Sequence, residues 1–245
     1  MSQKVSRQSR PINPQSDQAQ KLSPAIQSKI AKLIPKIDVI LASISKLIPL
    51  PLDFKWYVLG VIMAESSFNP NALRTIKEEY GSGLMQIGPA TGIQIARMLR
   101  EAVLNKNQTN VSSKNSEMLI KIHNLIFEIS DTSRIPLSAL KGGVHPDIEA
   151  IAKYDSRLPL NVAEKKTIAN FFMNEDLNLL FGIVYLVKLY QENSDTGKML
   201  RGYNGGSKQA KTKNPSPATK AYAIKVTTFA GAFKKTLRSS FGASS

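Results

Sequence analysis

From Ile26 to Leu47 the large aliphatic residues Ile26, Ile30, Leu33, Ile34, Ile37, Leu41, Ile44 and Leu47 fall on one face of a helix. A stripe of that length has to be buried against other apolar surface, and comparable helical spacing recurs down the chain. Period-2 runs of strand character are missing, as is any internal repeat. The expectation is an all-α fold of about seven or eight helices. Ser23 and Pro24 supply an N-cap and a first helical position, and Pro35 is expected to kink or divide the helix that follows. Pro49 and Pro51 form a linker, and Asp53 caps a second helix through Trp56, Val58, Leu59, Val61 and Ile62 to about Glu65, apolar on nearly all sides and therefore buried. Residues 71–88 read as irregular, Pro89 opens a helix, and Met118 to Ile129 form a short amphipathic one. Lys141 to Leu160 read as a long loop, and Asn161 with Glu164 as a capping box. Glu175 to Tyr190 form a strongly apolar helix, and Arg201 to Pro217 a glycine- and lysine-rich loop. The last helix carries Tyr222, Val226, Phe229, Phe233 and Leu237.

At 245 residues the chain suits one domain with extensions. Residues 1–20 read as a disordered or docking arm, 21–50 as an N-terminal helical extension, and 51–240 as the domain. The absence of cysteine excludes disulfides and thiolate catalysis. His123, read as a helix-surface residue, and His145, read as a loop residue, lack the spacing of a helical metal pair, so no metal and no cofactor is expected. The formal charge of +15 implies an anionic partner: nucleic acid, anionic lipid or an acidic wall polymer. Lys36, Asp38 and Lys46 make Leu33–Leu52 a poor bilayer span, and Met1 to Gln20 has no apolar segment of signal-peptide type.

The residues that point to chemistry are polar groups at the ends of apolar helices. Glu65 closes the buried second helix in Met63-Ala64-Glu65-Ser66-Ser67-Phe68-Asn69-Pro70. A carboxyl on an apolar wall has its charged form disfavoured and can hold a proton near neutral pH, as a glycosidic leaving group requires. Residues 80–92 read Tyr-Gly-Ser-Gly-Leu-Met-Gln-Ile-Gly-Pro-Ala-Thr-Gly. Glycines there let backbone approach a ligand closely, Gln86 offers donor and acceptor, and Met85 a soft apolar contact. The pattern lacks the Gly-Lys-Ser/Thr of a phosphate loop.

Glu65-Ser66-Ser67-Phe68-Asn69-Pro70, followed by Gly83-Leu84-Met85-Gln86-Ile87 with Pro89 and Thr91, resembles the soluble lytic transglycosylase (SLT) domain family. Three further stretches agree in order: Asn178 to Leu186 with the family's Asn-x-x-x-Gly-x-x-Tyr-Leu helix, Tyr203-Asn204-Gly205-Gly206 with its Tyr-Asn-Ala-Gly loop, and Tyr222 to Val226 with its closing Tyr-x-x-x-Val helix. Gly205 stands where the family has Ala, and an insertion at about 100–172 has no counterpart. The resemblance implies a lysozyme-like (goose-type/SLT) helical domain that cleaves the β-1,4 bond between N-acetylmuramic acid and N-acetylglucosamine in peptidoglycan. It implies Glu65 as acid/base and Tyr203 as the residue that orients it. Ser66, Met85, Gln86, Asn204 and Tyr185 are the implied substrate contacts, although Tyr185 and Asn178 also suit core positions.

Most glycosidases pair two carboxylates. Here no Asp lies between Asp53 and Asp131, and the acids shortly after Glu65 are Glu78 and Glu79. One carboxyl suffices if the muramoyl 6-hydroxyl attacks C1, giving a 1,6-anhydro product without consuming water. The alternatives are a lysozyme-type hydrolase, with Glu78 or Glu79 positioning water, and a catalytically inactive basic structural protein of a virion. A wall substrate combined with no export signal leads to the expectation of a bacteriophage protein, acting from the virion or at lysis in the host periplasm or cell wall. The N-terminal arm or the insertion would then dock on tail or baseplate proteins. Nucleic acid is not expected as a partner.

Overall fold

The computed structural model describes residues 22–76, 79–105, 114–129, 143–154 and 159–241. Among the described residues there are nine helices and one two-stranded sheet, and the expected all-α class holds. The arm at 1–20 and Glu78 lie outside the described residues, as do parts of the 100–172 segment.

Helix α1 (Pro24–Ser45) starts as its sequence dictates: the Ser23 hydroxyl accepts from the Ile26 amide and Pro24 takes the first turn. Pro35 neither ends nor divides it; the helix continues to Ser45, with Ile30, Leu33, Ile37, Ile40 and Ile44 buried on both sides of the proline. Burial of that stripe outweighs one missing backbone hydrogen bond. The stripe packs on α2 (Phe54–Ser66), α4 (Lys114–Ile129) and α7 (Glu175–Asn193). Lys36 adds ion pairs to Glu175 and Asp176 at 2.8 and 2.6 Å, at the start of α7.

The central pair is α2 with α9 (Pro217–Phe241). Gly60 permits the closest approach, since a Cβ there would come within 2.7 Å of the Val226 carbonyl oxygen. The Asp53 carboxylate makes no capping hydrogen bond to α2 and accepts from Lys234 at 2.6 Å, near the far end of α9. The contacts Asp53–Lys234, Gly60–Val226 and Glu65–Tyr222 run in opposite chain directions, so the two helices are antiparallel and the end of α2 meets the early turns of α9.

Three stretches read as loops are ordered elements. Residues 73–82 form an antiparallel hairpin, β1 (Leu73–Ile76) with β2 (Glu79–Ser82), in the register Arg74 opposite Gly81. These strands are too short to show a period in sequence, and exposed Leu73 marks how little core they carry. His145 caps α5 (Pro146–Ala152), accepting from the Asp147 amide at 3.1 Å. Arg201 falls inside α8 (Thr196–Lys211), which Asp195 caps and which bends at Gly206.

The 100–172 segment is built into the same core rather than appended to it. It contains the end of α3 (Pro89–Asn105), then α4, α5 and α6 (Val162–Phe171), and both α4 and α5 pack on α3. Met118, Ile122, Leu125 and Ile126 join the common core. His123, expected on a helix surface, and His145, expected in a loop, are both buried, and the His145 amide donates to His123 Nε2 at 2.8 Å. Burial lowers the pKa of both imidazoles.

Candidate active site

Glu65 sits in the last turn of α2, with its side chain only 6% exposed. The chain leaves the helix through two consecutive left-handed residues, Ser67 (φ 53°) and Phe68 (φ 61°). Such residues cost about 1 kcal/mol or more each unless their surroundings hold them. Here Phe68 is buried edge-on against Phe233 of α9, at 6.0 Å, which fixes the turn. The turn leads directly into the hairpin, and β1 brings Arg74 to 3.8 Å from Glu65 Oε2.

Glu65 Oε1 accepts a 2.7 Å hydrogen bond from the Tyr222 hydroxyl. Burial raises the Glu65 pKa, opposed by the Tyr222 bond and then by the positive charges of Arg74 and Lys225. The charges acting on this carboxyl are therefore both cationic, and Glu79 is exposed on β2. Tyr222 and Tyr203 are held well above the ordinary tyrosine value, first by burial and then by the charge of Glu65. Both remain neutral O–H donors.

Tyr203 does not make the bond expected of it. Its hydroxyl donates to the Met85 carbonyl at 2.7 Å, while its ring lies 5.4 Å from that of Tyr185 on α7. The bond to Glu65 belongs to Tyr222, because α9 and not α8 lies along α2. Tyr203 is still close enough for Glu65 to perturb its ionisation, so both tyrosines surround the carboxyl and one touches it. Tyr222 and Arg74 were not singled out from the sequence as site residues. The Tyr-x-x-x-Val spacing was the available signal for Tyr222, since Val226 marks the turn packed on Gly60.

The other expected substrate contacts divide differently. Met85 and Gln86 are buried. Gln86 Nε2 donates to the Ala72 and Gly83 carbonyls, both at 3.0 Å, tying the hairpin base to the 83–87 loop. Asn178, fully buried on α7, accepts from the Met85 amide at 2.8 Å and donates to the Ser82 and Phe172 carbonyls at 2.6 and 2.9 Å. Gly83 passes over it with φ 72°, where a Cβ would come within 2.5 Å of the Asn178 amide nitrogen. These residues shape the loop from below. Ser66 Oγ bonds back to the Ile62 carbonyl at 3.1 Å, Tyr185 is buried, and Asn204 is exposed.

Among the described residues no cluster of His, Cys, Asp and Glu has the form of a metal site, and no helix is long and apolar enough to cross a membrane. Neither the curated proteins nor the solved structures contain a match to the chain. A family model does match: residues 55–135 fit the transglycosylase SLT domain. That stretch holds Glu65, Ser66, Arg74, Met85 and Gln86, while Tyr185, Tyr203 and Tyr222 lie beyond it. Residues 55–135 are therefore similar to an SLT domain, and the matched stretch includes the buried helix-end glutamate of this all-α fold.

Proposed function

We propose that this protein is a lytic transglycosylase that cleaves the β-1,4 bond between N-acetylmuramic acid and N-acetylglucosamine, with Glu65 acting first as acid and then as base. The observation that carries the reading is a single buried carboxyl, with its pKa raised by burial, held by a neutral tyrosine and acted on only by cations among the described residues. Oε1 is occupied in accepting from Tyr222. Arg74, at 3.8 Å, is too far to hydrogen-bond Oε2. Oε2 is thus the atom that carries the proton and delivers it to the glycosidic oxygen. As that C–O bond breaks, the leaving sugar keeps the proton and Glu65 is left as carboxylate. It then takes the proton of the muramoyl 6-hydroxyl while that oxygen bonds to C1. The proton returns to Glu65, and the product is a 1,6-anhydro sugar.

The nearby cations suit this cycle. Arg74 and Lys225 steady the carboxylate once formed, without being close enough to abolish the raised pKa that burial imposes. Hydrolysis would need a second group to activate water, and exposed Glu79 is the acid available for that among the described residues of the hairpin. Mass spectrometry of a peptidoglycan digest separates the two. Fragments ending in 1,6-anhydromuramic acid, lighter by one water than hydrolytic fragments, are expected. Reducing ends throughout would make the protein a lysozyme-type hydrolase. Glu65→Gln should lower release of either product by orders of magnitude with the fold retained, and substantial residual activity would remove Glu65 from the chemistry.

A further inference from the structure

Between α8 and α9 lies a cavity of about 540 Å³ that the glycan chemistry does not use. Arg201, Lys213 and Lys220 line it, and among its described lining residues there is no acid. It opens on the side of the two helices away from Tyr203 and Tyr222. Arg201 is two residues from Tyr203, and Ile224 two from Tyr222, each about 200° around its helix. The cavity is therefore separate from the Glu65 site.

Its chemistry is specific. Arg201 Nε is buried and makes no hydrogen bond, a donor held out of water without an acceptor. Asp195, the nearest acid in sequence, spends an oxygen on capping α8 through the Lys198 amide at 2.6 Å. The remaining lining is small and mostly aliphatic: Gly197, Pro215, Ala223 and Ile224, together with Thr227 and Thr228. The hydroxyls of those threonines bond back to the Ala223 and Ile224 carbonyls. A bare inorganic anion would leave these walls unfilled. A nucleic-acid strand would call for an extended basic groove with aromatic platforms, and no aromatic residue lines this cavity. A guanidinium and two ammonium groups around small aliphatic walls, in a volume typical of small-ligand sites, match a carboxylate on a short chain of small side chains.

We propose that this cavity binds the carboxylate end of a short peptide with alanine-sized side chains. On the peptidoglycan reading above, on which this choice of occupant rests, the ligand is the free end of a wall stem peptide. Because the cavity faces away from Glu65, the peptide would come from a neighbouring strand, and the site would hold the protein on the wall between cleavage events.

The test is an NMR titration of the ¹⁵N-labelled full chain with acetyl-D-alanyl-D-alanine, its C-terminal amide, and inorganic phosphate. The acid should give saturable shifts at residues 197–228, and the amide should bind at least tenfold more weakly. Arg201→Gln should weaken binding roughly tenfold, as loss of a charged hydrogen bond does. Lys220→Gln, an exposed change that leaves packing alone, should weaken it severalfold. Equal binding of acid and amide, or variants that bind as the parent does, would overturn the proposal. Phosphate binding as tightly as the dipeptide would overturn the peptide assignment in favour of a bare oxyanion site. The dipeptide carries no sugar, so its binding reads this cavity alone. The Glu65→Gln digest reads the glycan chemistry alone, and failure of either leaves the other interpretable.

Discussion

Two regions of this protein bury polar side chains within a short stretch of chain, with opposite results. At Asn178 every polar atom is matched: one accepted bond from Met85, and two donated to Ser82 and Phe172. At Glu65 the carboxyl is nearly as enclosed, yet one oxygen has the Tyr222 hydroxyl and the other has only a distant guanidinium. A buried group whose bonds are complete is scaffold, because any change of its protonation or position breaks something. A buried ionisable group left incomplete keeps a raised pKa and an oxygen available to a ligand. Gln86, which resembles a substrate contact in sequence, stands nearer the first kind: its side-chain NH2 group is spent on the Ala72 and Gly83 carbonyls.

The largest effect that would break this contrast lies on the scaffold side. Asn178→Ala would leave the Met85 amide and the Ser82 and Phe172 carbonyls without their partner in a buried place. The expected loss is about 3 kcal/mol or more of stability, read from denaturant unfolding. A loss below about 1 kcal/mol would mean that water or rearranged backbone replaces the side chain, and that the loop is not held from below.

Next in size is Tyr222→Phe, which removes one bond from the reactive side while keeping the ring. Turnover should fall roughly ten- to a hundredfold, with smaller change in substrate affinity, because the carboxyl is no longer oriented. The Tyr222 bond favours the charged form, so its loss should raise the Glu65 pKa further. The alkaline limb of the kcat/KM profile, which reports the proton on Glu65, should then move to higher pH. Tyr203→Phe is the comparison: if it shifts the profile as Tyr222→Phe does and Tyr222→Phe does not, the two tyrosines have been assigned the wrong way round.

How much of this arrangement could be read from the sequence follows the range of the interactions. Ser23 over α1 and the Asn161–Glu164 capping box, with both bonds at 2.9 Å, act within a few residues and were legible. So were α7 and α9, whose apolar runs are long. The hairpin was not, since its closure depends on Gly83 donating to Ala72 and on Gln86 beneath it, contacts that carry no period. Nor was α8, whose glycines and lysines argue for a loop, while Met199 and Leu200 bury one face and Asp195 caps its start. Glu65 could be found because an apolar helix ends on it. Its partner could not be assigned by residue type alone: buried Tyr222 and half-buried Tyr203 are both tyrosines near the carboxyl, and only the antiparallel packing of α2 on α9 selects between them.

The smallest effect is thermodynamic, and its sign follows from the same incomplete carboxyl. Burial raises the folded-state pKa of Glu65 above that of a glutamate in the unfolded chain. The folded protein therefore binds this proton more tightly. The stability linked to it is fully present below the unfolded glutamate value and is lost as pH rises through the folded one. Above that range the protein carries a buried charge at a cost which neither the Tyr222 bond nor the exposed Arg74, 55% accessible, fully offsets. Glu65→Gln keeps the shape and an acceptor for Tyr222 and has no charge to bury. The variant should therefore be more stable than the parent at neutral pH, and the gap should close as pH is lowered through the carboxylate range. Thermal unfolding of both proteins across that range gives the answer. A variant less stable at neutral pH, or a gap that ignores pH, would mean that Glu65 is as fully satisfied as Asn178, and the distinction between the two regions would fail.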